Sequence, residues 1–370
     1  MPARVVLAMS GGVDSSVAAL LLKEQGYDVV GLFMRTGTHA EDDASPPTPL
    51  RKAEKGDKKK GCCSAVDAGD ARRIADRLDI PFYALDFADD FGKIMDYFTD
   101  EYLAGRTPNP CVVCNNWLKF GKLWDYGRQL DADFIATGHY VRVARRDGGT
   151  ELLRALDPAK DQSYVLFGLR REILPHLLFP LGAYHKEEVR ALARQANLGV
   201  AEKPDSVEIC FVPNNDHADF IRRRRPELAT AGVFRDQAGN VLAEHAGYEQ
   251  YTIGQRKGLG FGSSSRRYVL DIIPETHDVI LGDRDDLLAP ALAATRVNWL
   301  IDPPSVPLRC QAKIRYRHEP AAASVTKMSD GGIRVDFDVP QSAITPGQAV
   351  VFYDRARVLG GGWIEAALVH

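Results

Sequence analysis

The sequence contains no run of the roughly 18 consecutive apolar residues that a membrane-spanning helix needs. Its first apolar run, at residues 5–9, is short, and two glycines and an aspartate follow it almost at once. A signal peptide would have a longer apolar region and a cleavage site of small residues. We therefore expect a cytoplasmic protein that has no membrane partner.

Cysteine is scarce, with 6 residues in a chain of 370. Because the cytosol keeps thiols reduced, we expect these residues to be buried, metal-binding or reactive rather than paired in structural disulfides. The six are Cys62, Cys63, Cys111, Cys114, Cys210 and Cys310.

A strong excess of positive charge is also missing, since the formal net charge is −3. The molecule as a whole is therefore not a basic nucleic-acid binder, and any RNA site must be a local cluster of Lys and Arg. What is present is the composition of a globular protein, with 45% hydrophobic and 26% charged residues. At roughly 100–200 residues per domain, the chain length indicates two or three domains.

The first part of the chain alternates between strand-like and helix-like segments. Such alternation is typical of an α/β domain in which helices connect the strands of a parallel sheet. The predicted strands are residues 4–9, 27–34, 80–87 and 132–137, and the predicted helices are residues 15–25, 65–78 and 117–130. In the second helix we place Val66, Ile74, Ala75 and Leu78 on one apolar face.

Residues 36–60 interrupt this alternation. They are rich in Pro, Asp, Glu and Lys and contain almost no large apolar side chains. We interpret them as a mobile, solvated insertion, with an active-site lid as the less favoured alternative.

Beyond about residue 212 the pattern changes to short strands separated by turn residues, which predicts a small β-barrel. The predicted strands are residues 268–273, 278–282, 308–316, 333–339, 349–353 and 358–364. We accordingly divide the chain into a catalytic domain at residues 1–212, a small central domain at residues 213–284 and a C-terminal β-barrel domain at residues 285–370.

Residues 10–16 form a glycine-rich loop between the first strand and the first helix. Glycines allow a sharp turn close to a ligand, and the following helix N-terminus attracts anions. Ser15 and Ser16 add hydroxyl donors, and Asp14 suits a phosphate site if it meets Mg²⁺. An ordinary strand-to-helix turn is the alternative. The loop is not a Walker A motif, because it has no terminal Gly-Lys-Ser/Thr.

Cys111 and Cys114 lie in a segment whose two prolines should keep it extended, with a helix beginning after it. A thiol near a helix N-terminus has a lowered pKa, which favours Cys114 as a reactive residue. A zinc site is the alternative, but it would need four ligands, and only Cys210 and His217 could complete it. Cys310 lies within a predicted strand and is interpreted as a core residue.

Residues 10–16 resemble the signature of the PP-loop ATP-pyrophosphatase superfamily. Together with several later motifs, they identify the chain as similar to the tRNA-specific 2-thiouridylase family (MnmA type). The later motifs are residues 63–65, 107–110, 136–139, 160–164, Cys210, and residues 254–260, 315–317, 345–348 and 359–362. The resemblance implies a PP-loop (adenine nucleotide alpha hydrolase-like) domain, a small central domain and a C-terminal β-barrel.

The resemblance also implies roles for individual residues. The nucleotide ATP would contact Ala8, Met9, Ser10, Gly11, Gly12, Val13, Asp14, Ser15, Met34 and Gly138. The target base would meet Asn109, Pro110 and Cys111, and other parts of the tRNA would meet His139, Lys160, Asp161, Gln162, Arg315, Tyr316 and Gln348. Cys114 would be the nucleophile, and Cys210 would carry a persulfide.

The implied reaction is adenylation of the wobble uridine by ATP, with Mg²⁺, and replacement of its C2 oxygen by sulfur. The implied partners are tRNAs for Lys, Glu and Gln and a sulfur-relay protein or cysteine desulfurase. The chain departs from the family at Cys111, where many members have an aspartate proposed as acid or base. Three cysteines could instead hold a 4Fe-4S cluster through Cys111, Cys114 and Cys210, which is the close alternative to the persulfide scheme.

A basic run at residues 222–225 is either a solvated helix face or part of a phosphate-binding surface. That surface could also include Arg256, Lys257, Arg266, Arg267, Arg315 and Arg317. Two rival functions remain at this point. One is a PP-loop synthetase that adenylates a small molecule, and the other is a tRNA-binding protein that has lost catalysis.

Overall fold

The computed structural model describes residues 2–37, 65–146, 148–205, 209–260 and 266–369. The chain divides into two compact units, each built from several stretches of sequence. The first unit comprises Met1–Met95, Val113–Ser163 and Glu172–Asn215, and the second comprises Asp96–Val112, Tyr164–Arg171 and Asp216–His370. All but the first two residues of the predicted insertion at 36–60 lie outside the described residues, as do Cys62 and Cys63.

The first unit contains a five-stranded sheet whose order is β3-β2-β1-β4-β7, and every neighbouring pair is parallel. Its strands are β1 (Arg4–Ala8), β2 (Asp28–Arg35), β3 (Phe82–Asp86), β4 (Phe134–Ala136) and β7 (Leu177–Leu178). Val5, Val6 and Leu7 of the central strand are fully buried, which is typical of a parallel sheet covered on both faces. The predicted α/β architecture is confirmed.

Three helices of this unit pack in one apolar core with β1 and β2. They are α1 (Val13–Glu24), α2 (Ala65–Arg77) and α6 (Lys186–Gln195). Two further elements, the antiparallel hairpin β5 (Val141–Arg146) and β6 (Gly149–Arg154), were not predicted.

Helix α2 buries the predicted face at Ile74 and Ala75, and Leu78, which follows the helix, packs against the same core. Its buried residues are Asp67, Ala71, Ile74 and Ala75, whereas Val66 is 70% exposed, so the placement of Val66 was wrong. Eight residues separate Val66 from Ile74, and at 3.6 residues per turn this spacing rotates Val66 by about 80° from the buried stripe.

The segment around Cys111 and Cys114 is helical earlier than predicted. A continuous helical stretch runs through α4 (Pro110–Val113), a π-helical segment (Cys114–Lys122) and α5 (Leu123–Gln129), and it follows α3 (Ala88–Leu103). The prediction that both prolines keep this segment extended was therefore wrong. Proline is favoured at the first position of a helix because its missing N–H is not needed there, which is how Pro110 is used.

The second unit contains a four-stranded sheet with the order β10-β11-β8-β9. Its strands are β8 (Gly232–Asp236), β9 (Val241–His245), β10 (Tyr268–Ile273) and β11 (Asp278–Gly282). The last two match the predicted strands, and the first two were missed. Helix α7 (His217–Arg224) precedes this sheet along the chain.

The same unit contains six antiparallel strands in the order β12-β15-β14-β13-β16-β17, and pairing of β12 with β17 closes them into the predicted barrel. The strands are β12 (Leu288–Trp299), β13 (Leu308–Lys313), β14 (Ala321–Lys327), β15 (Ile333–Ser342), β16 (Ala349–Asp354) and β17 (Arg357–Leu368). Cys310 packs against the barrel core, and burial raises the pKa of its thiol to about 12. Its interpretation as a core residue is confirmed.

Among the described residues, short 3-10 segments lie at Ser163–Leu166, Arg171–His176, Pro213–Asn215, Tyr248–Gln250 and Asp285–Leu287. No helix in the described part of the chain has the length and hydropathy that crossing a membrane requires.

Candidate active site

The loop at residues 10–16 connects β1 to α1, as predicted. Gly11 has a φ of +71°, and a Cβ atom there would lie 2.1 Å from the carbonyl oxygen of Asp67. Gly138 also packs against the loop, because a Cβ atom there would lie 2.8 Å from the amide nitrogen of Ser15. Both close approaches exclude a larger side chain, so the two glycines define the shape of the loop.

This loop lies where the order of the sheet reverses. The chain passes from β1 to β2 and β3 on one side, and then returns to β4 on the other side of β1. Ligands of open α/β sheets bind outside the carboxyl ends of the strands at such a switch point. The predicted ATP-binding residues all lie at that edge: residues 8–15 join β1 to α1, Met34 is near the end of β2, and Gly138 follows β4.

The serine hydroxyl groups of the loop contribute to its internal hydrogen bonds. The Ser16 hydroxyl donates to the carbonyl oxygen of Gly12 at 2.8 Å, and the Ser15 Oγ accepts from the Ser10 amide at 3.1 Å. Both serines are buried. The backbone N–H groups at the start of α1, rather than Ser16, are therefore the natural donors to an anion.

Asp14 has charged and polar partners within the first unit. Lys186 Nζ lies 2.7 Å and 2.8 Å from its two carboxylate oxygens, and the Tyr140 hydroxyl donates to it at 2.8 Å. Burial, followed by the nearby Asp14 carboxylate, raises the pKa of Tyr140, so the hydroxyl stays protonated. An ion pair and a hydrogen bond thus hold the Asp14 carboxylate in place within the loop.

Asp205 extends this charge network. Its carboxylate accepts hydrogen bonds from Lys160 at 2.6 Å and Arg190 at 2.8 Å and lies 2.9 Å from Lys186 Nζ. Burial alone would raise the pKa of Asp205, but the ammonium groups of Lys160 and Lys186 lower it to about 2. The carboxylate is thus ionised and holds two lysines beside the loop.

Lys203 forms a second contact between the loop and its surroundings. Its ammonium group donates to the Gly11 carbonyl oxygen at 2.9 Å and to Asp70 at 2.8 Å, and it also pairs with Asp67. Burial lowers the pKa of Lys203, but the two carboxylates outweigh it and the net pKa is raised. Lys203 therefore links the loop to helix α2.

Sequence reasoning missed Lys186, Lys203, Asp205 and Tyr140. Lys186 is separated from Asp14 by 172 positions, and Lys203 from Gly11 by 192. A lone lysine in a helix such as α6 carries no local signal that distinguishes it from a solvated surface residue.

Cys114 and Cys210 belong to the same unit as the loop, and both thiols are partly buried. The aromatic ring of Phe211, next to Cys210, packs edge-on against Phe91 with 5.6 Å between ring centroids. Cys114 is the first residue of the π-helical segment, and such segments are frequent at functional sites. Residues 206–208, which precede Cys210, lie outside the described residues.

Cys111 is exposed and lies in the first turn of the helix that begins at Pro110. Asn109 caps this helix, because its side-chain oxygen accepts from the Val112 amide at 3.3 Å. The thiol nearest the helix N-terminus is therefore Cys111, and the placement of Cys114 there was wrong. Among the residues with described coordinates, no group of three His, Cys, Asp or Glu side chains is arranged to hold a metal ion.

The predicted tRNA-binding residues of the first unit have internal partners. Asp161 accepts from the Ala155 amide and the Ser163 hydroxyl, and Gln162 accepts from the Tyr140 amide. His139 is buried, and its Nδ1 lies 2.7 Å from the Thr137 hydroxyl. Lys160 pairs with Asp205, as described above. These contacts hold the backbone after β4 and after β6.

His139 makes a testable contribution to stability. Burial, followed by the charge of Lys119, lowers its pKa well below 6.5, so the unfolded chain takes up this proton before the folded chain does. The contribution of His139 to the free energy of unfolding is therefore fully present above about pH 6.5. It is lost as the pH drops below that value, by up to about 1.4 kcal/mol per pH unit. We expect His139→Gln to show a shallower loss in urea unfolding between pH 7 and pH 5.

The free energy of unfolding of the wild type is compared with that of His139→Gln at each pH. His217, His245 and His318 also have lowered pKa values because of burial, and they contribute equally to both. Identical pH slopes for the wild type and His139→Gln would contradict a buried, neutral His139.

In the second unit, Gln348 and Arg315 donate to backbone carbonyl groups. Gln348 Nε2 lies 3.1 Å from the Thr107 oxygen and 2.9 Å from the Pro108 oxygen, and an Arg315 nitrogen lies 3.1 Å from the Ser342 oxygen. Tyr316 is 42% exposed, and its ring lies edge-on to that of Tyr164, with 6.2 Å between centroids, and 5.8 Å from the Lys313 ammonium nitrogen.

The basic run at residues 222–225 pairs with acidic side chains. Arg222 pairs with buried Glu249 at 2.8 Å, Arg224 and Arg225 pair with Asp96, and Arg223 pairs with Asp219 on the same helix. Three of the four arginines thus hold α7 in place. Only Arg223, which is 74% exposed, keeps its charge mainly in solvent.

Comparison with known proteins covers nearly the whole chain. Residues 3–214 match the family model described as tRNA methyl transferase HUP domain. Residues 218–283 match the tRNA methyl transferase PRC-barrel domain, and residues 290–364 match the Aminomethyltransferase beta-barrel domain. A protein of Rhodopirellula baltica named tRNA-specific 2-thiouridylase MnmA is 48% identical, over 99% of this chain and 97% of its own. Proteins of the same name from Geotalea uraniireducens and Clostridium perfringens are 48% and 46% identical, over 99% of this chain and 96% and 99% of their own.

Proposed function

The chain belongs to the tRNA-specific 2-thiouridylase family, and from this membership we propose that it is a tRNA-uridine 2-sulfurtransferase acting on the wobble uridine, position 34. The observation that carries the proposal is that one compact unit holds both the loop at residues 10–16 and the thiols of Cys114 and Cys210. The loop suits ATP, and the thiols suit sulfur transfer.

The first proposed step is activation of the base by ATP. The C2 oxygen of the uridine attacks the α-phosphorus, pyrophosphate leaves, and the oxygen becomes part of an adenylate. The N–H groups at the start of α1 bind the phosphates, and Lys186 lies close enough to the loop to offset developing negative charge. Mg²⁺ usually binds through substrate phosphates and water with only one or two carboxylates, which requires no three-residue protein site.

The second proposed step replaces the activated oxygen. The Cys114 thiolate attacks the inner sulfur of a persulfide on Cys210 and releases hydrosulfide, which adds to C2 and expels AMP. In the other order, the terminal sulfur of the Cys210 persulfide adds to C2 and expels AMP, and the Cys114 thiolate then attacks the inner sulfur. Both orders leave a Cys114–Cys210 disulfide, so a thiol reductant must restore the two thiols after each turnover. The target base must leave its stack to be reached.

The proposed partners follow from this scheme. The substrates are tRNAs for Lys, Glu and Gln, and the persulfide comes from a sulfur-relay protein or a cysteine desulfurase. We also propose that residues 1–212, 213–284 and 285–370 are the catalytic, central and barrel domains.

A 4Fe-4S cluster would need Cys111, Cys114 and Cys210 as ligands. The described residues include no group of three His, Cys, Asp or Glu side chains arranged for a metal ion, so we favour the persulfide scheme and derive no step through a cluster. Iron quantification and visible spectra after anaerobic purification test this choice, and stoichiometric iron with sulfide would overturn it.

Two rival functions are tested together with the main one. Purified protein is incubated with ATP, a persulfide donor and unmodified tRNA, and both AMP and 2-thiouridine are measured. We expect AMP to form only with tRNA and to match 2-thiouridine in amount. A synthetase for small molecules would form AMP without tRNA once a small-molecule acceptor and its nucleophile are supplied, and a tRNA-binding protein without catalysis would form none.

The names of two matching domain families refer to methyl transfer, whereas relatives that match 99% of the chain are named for thiolation. We follow the relatives because they extend over all three matched domains. A methylated nucleoside without sulfur, formed when a methyl donor is added to the same assay, would reverse that choice.

A further inference from the structure

Two segments that are far apart in the sequence meet within the second unit. Residues 345–348, which we call the clamp, lie just before β16, and residues 107–110 lie just before and at the start of α4. The Gln348 amide donates to the carbonyl oxygens of Thr107 and Pro108, and the Thr107 amide donates to the Pro346 carbonyl oxygen at 2.9 Å. Three hydrogen bonds thus hold two successive residues before the helix.

Gly347 brings the clamp into direct contact with the same segment. A Cβ atom at this position would lie 2.8 Å from the Thr107 carbonyl oxygen and 3.0 Å from the Arg106 Cβ. The residue also has a φ of +86°, where side chains other than glycine are strained. The glycine is required by both its conformation and its close approach.

Further contacts fix residues 107–110 and their neighbours. Glu101 and Arg106 form a pair of charge-assisted hydrogen bonds, at 2.8 Å and 2.6 Å. The Tyr164 hydroxyl donates to the Ala349 carbonyl oxygen, next to the clamp, at 2.9 Å. The Asn109 side chain caps the helix that carries Cys111. The position of residues 109–111 therefore depends on Gln348 and Gly347.

We propose that Gln348 and Gly347 are positioning residues that hold residues 109–111 at the target uridine. This inference rests on the proposed function, because it takes residues 109–111 as the part of the chain that meets the base. Family resemblance assigns Gln348 to tRNA contact, whereas here its amide donates both hydrogen bonds to backbone oxygens. We therefore expect loss of the Gln348 amide to lower the rate of the reaction and to change the tRNA affinity little.

Gln348→Leu and Gly347→Ala test the proposal by different routes. The first removes the hydrogen bonds, and the second displaces the segment without removing any group that could bind RNA. A displacement of about 1 Å can slow a reaction about 100-fold, so we expect kcat at saturating tRNA to fall about 10- to 100-fold in both variants. The tRNA dissociation constant should change less than about threefold. Filter binding and single-turnover formation of 2-thiouridine measure the two quantities.

Gln341→Leu is the matched control, because the Gln341 amide in the same barrel donates only to the nearby Val339 carbonyl oxygen. We expect this variant to keep the wild-type kcat. Thermal unfolding of all variants gives the folded fraction, to which each rate is normalised. A loss that vanishes on normalisation would show a role in folding alone and overturn the proposal.

Hydrogen–deuterium exchange of residues 103–112 provides a readout that does not depend on the function. We expect exchange in this segment to be at least threefold faster in Gln348→Leu than in Gln341→Leu. Weakened tRNA binding with an unchanged kcat, or unchanged exchange and kcat, would overturn the inference. A wild-type protein that forms no 2-thiouridine, but shows the faster exchange in Gln348→Leu, would instead refute the proposed function alone.

Discussion

Cys210→Ser and Cys114→Ser are each expected to stop formation of 2-thiouridine while leaving the tRNA-dependent release of pyrophosphate intact in a single turnover. A serine hydroxyl cannot carry a persulfide or attack one, and removal of a covalent participant typically costs about 10³-fold or more in rate. The activation step needs only ATP, the loop and the base. A single-turnover pyrophosphate assay measures activation, and mass spectrometry of the RNA measures sulfur transfer.

Cys310→Ser is the control for this experiment. Cys310 packs against the barrel core, and burial raises its pKa to about 12, so almost none of it is thiolate at neutral pH. Its replacement should leave both steps at the wild-type rate once folding is checked. A Cys210→Ser protein that still thiolates tRNA at the normal rate would refute the persulfide scheme.

Gly138→Ala is expected to lower ATP-dependent AMP formation about 100-fold. The added Cβ atom would lie 2.8 Å from the Ser15 amide nitrogen and 2.9 Å from the Asp14 carbonyl carbon, so the loop backbone must shift. Since both atoms belong to the start of α1, the shift displaces the N–H groups that bind phosphate. Single-turnover AMP formation at saturating ATP and tRNA measures the effect.

Gly199→Ala provides the matched control in the same unit. A Cβ atom at Gly199 would meet no atom within 4 Å, so this variant should keep the wild-type rate. If Gly138→Ala were as active as Gly199→Ala, ATP would not bind at the loop in the way proposed here.

The fold of the first unit could be predicted because its central strand is apolar on both faces and helix-like segments alternate with the strands. Residues 5–7 are buried on both faces, and this pattern is visible without any tertiary information. Strands without this pattern were harder to predict. Four of the 12 residues of β12 are alanine, and a strand rich in alanine has little of the β-branched or aromatic signal that predicts strands.

Two local errors had physical causes that the sequence could have revealed. A strict count of 3.6 residues per turn excludes Val66 from the stripe of Ile74 and Ala75. Pro110 was interpreted as a residue that keeps the chain extended, although Asn109 before it is a favourable helix cap.

The candidate site was predictable only where its residues form continuous motifs. The loop at residues 10–16 is one such motif, and the structure places it at the switch point of the sheet. The charges around it are not contiguous, since Lys186, Lys203 and Asp205 come from the distant end of the unit. Such pairings depend on how α6 and the chain after it pack beside α1 and α2, which one sequence does not specify.

The most direct test of the central claim is nucleoside mass spectrometry of tRNA from cells that lack this protein. We predict that 2-thiouridine derivatives disappear from position 34 of the tRNAs for Lys, Glu and Gln, and that the wild-type gene restores them. The gene encoding Cys210→Ser should not restore them. Unchanged 2-thiouridine in cells without the protein would contradict the account.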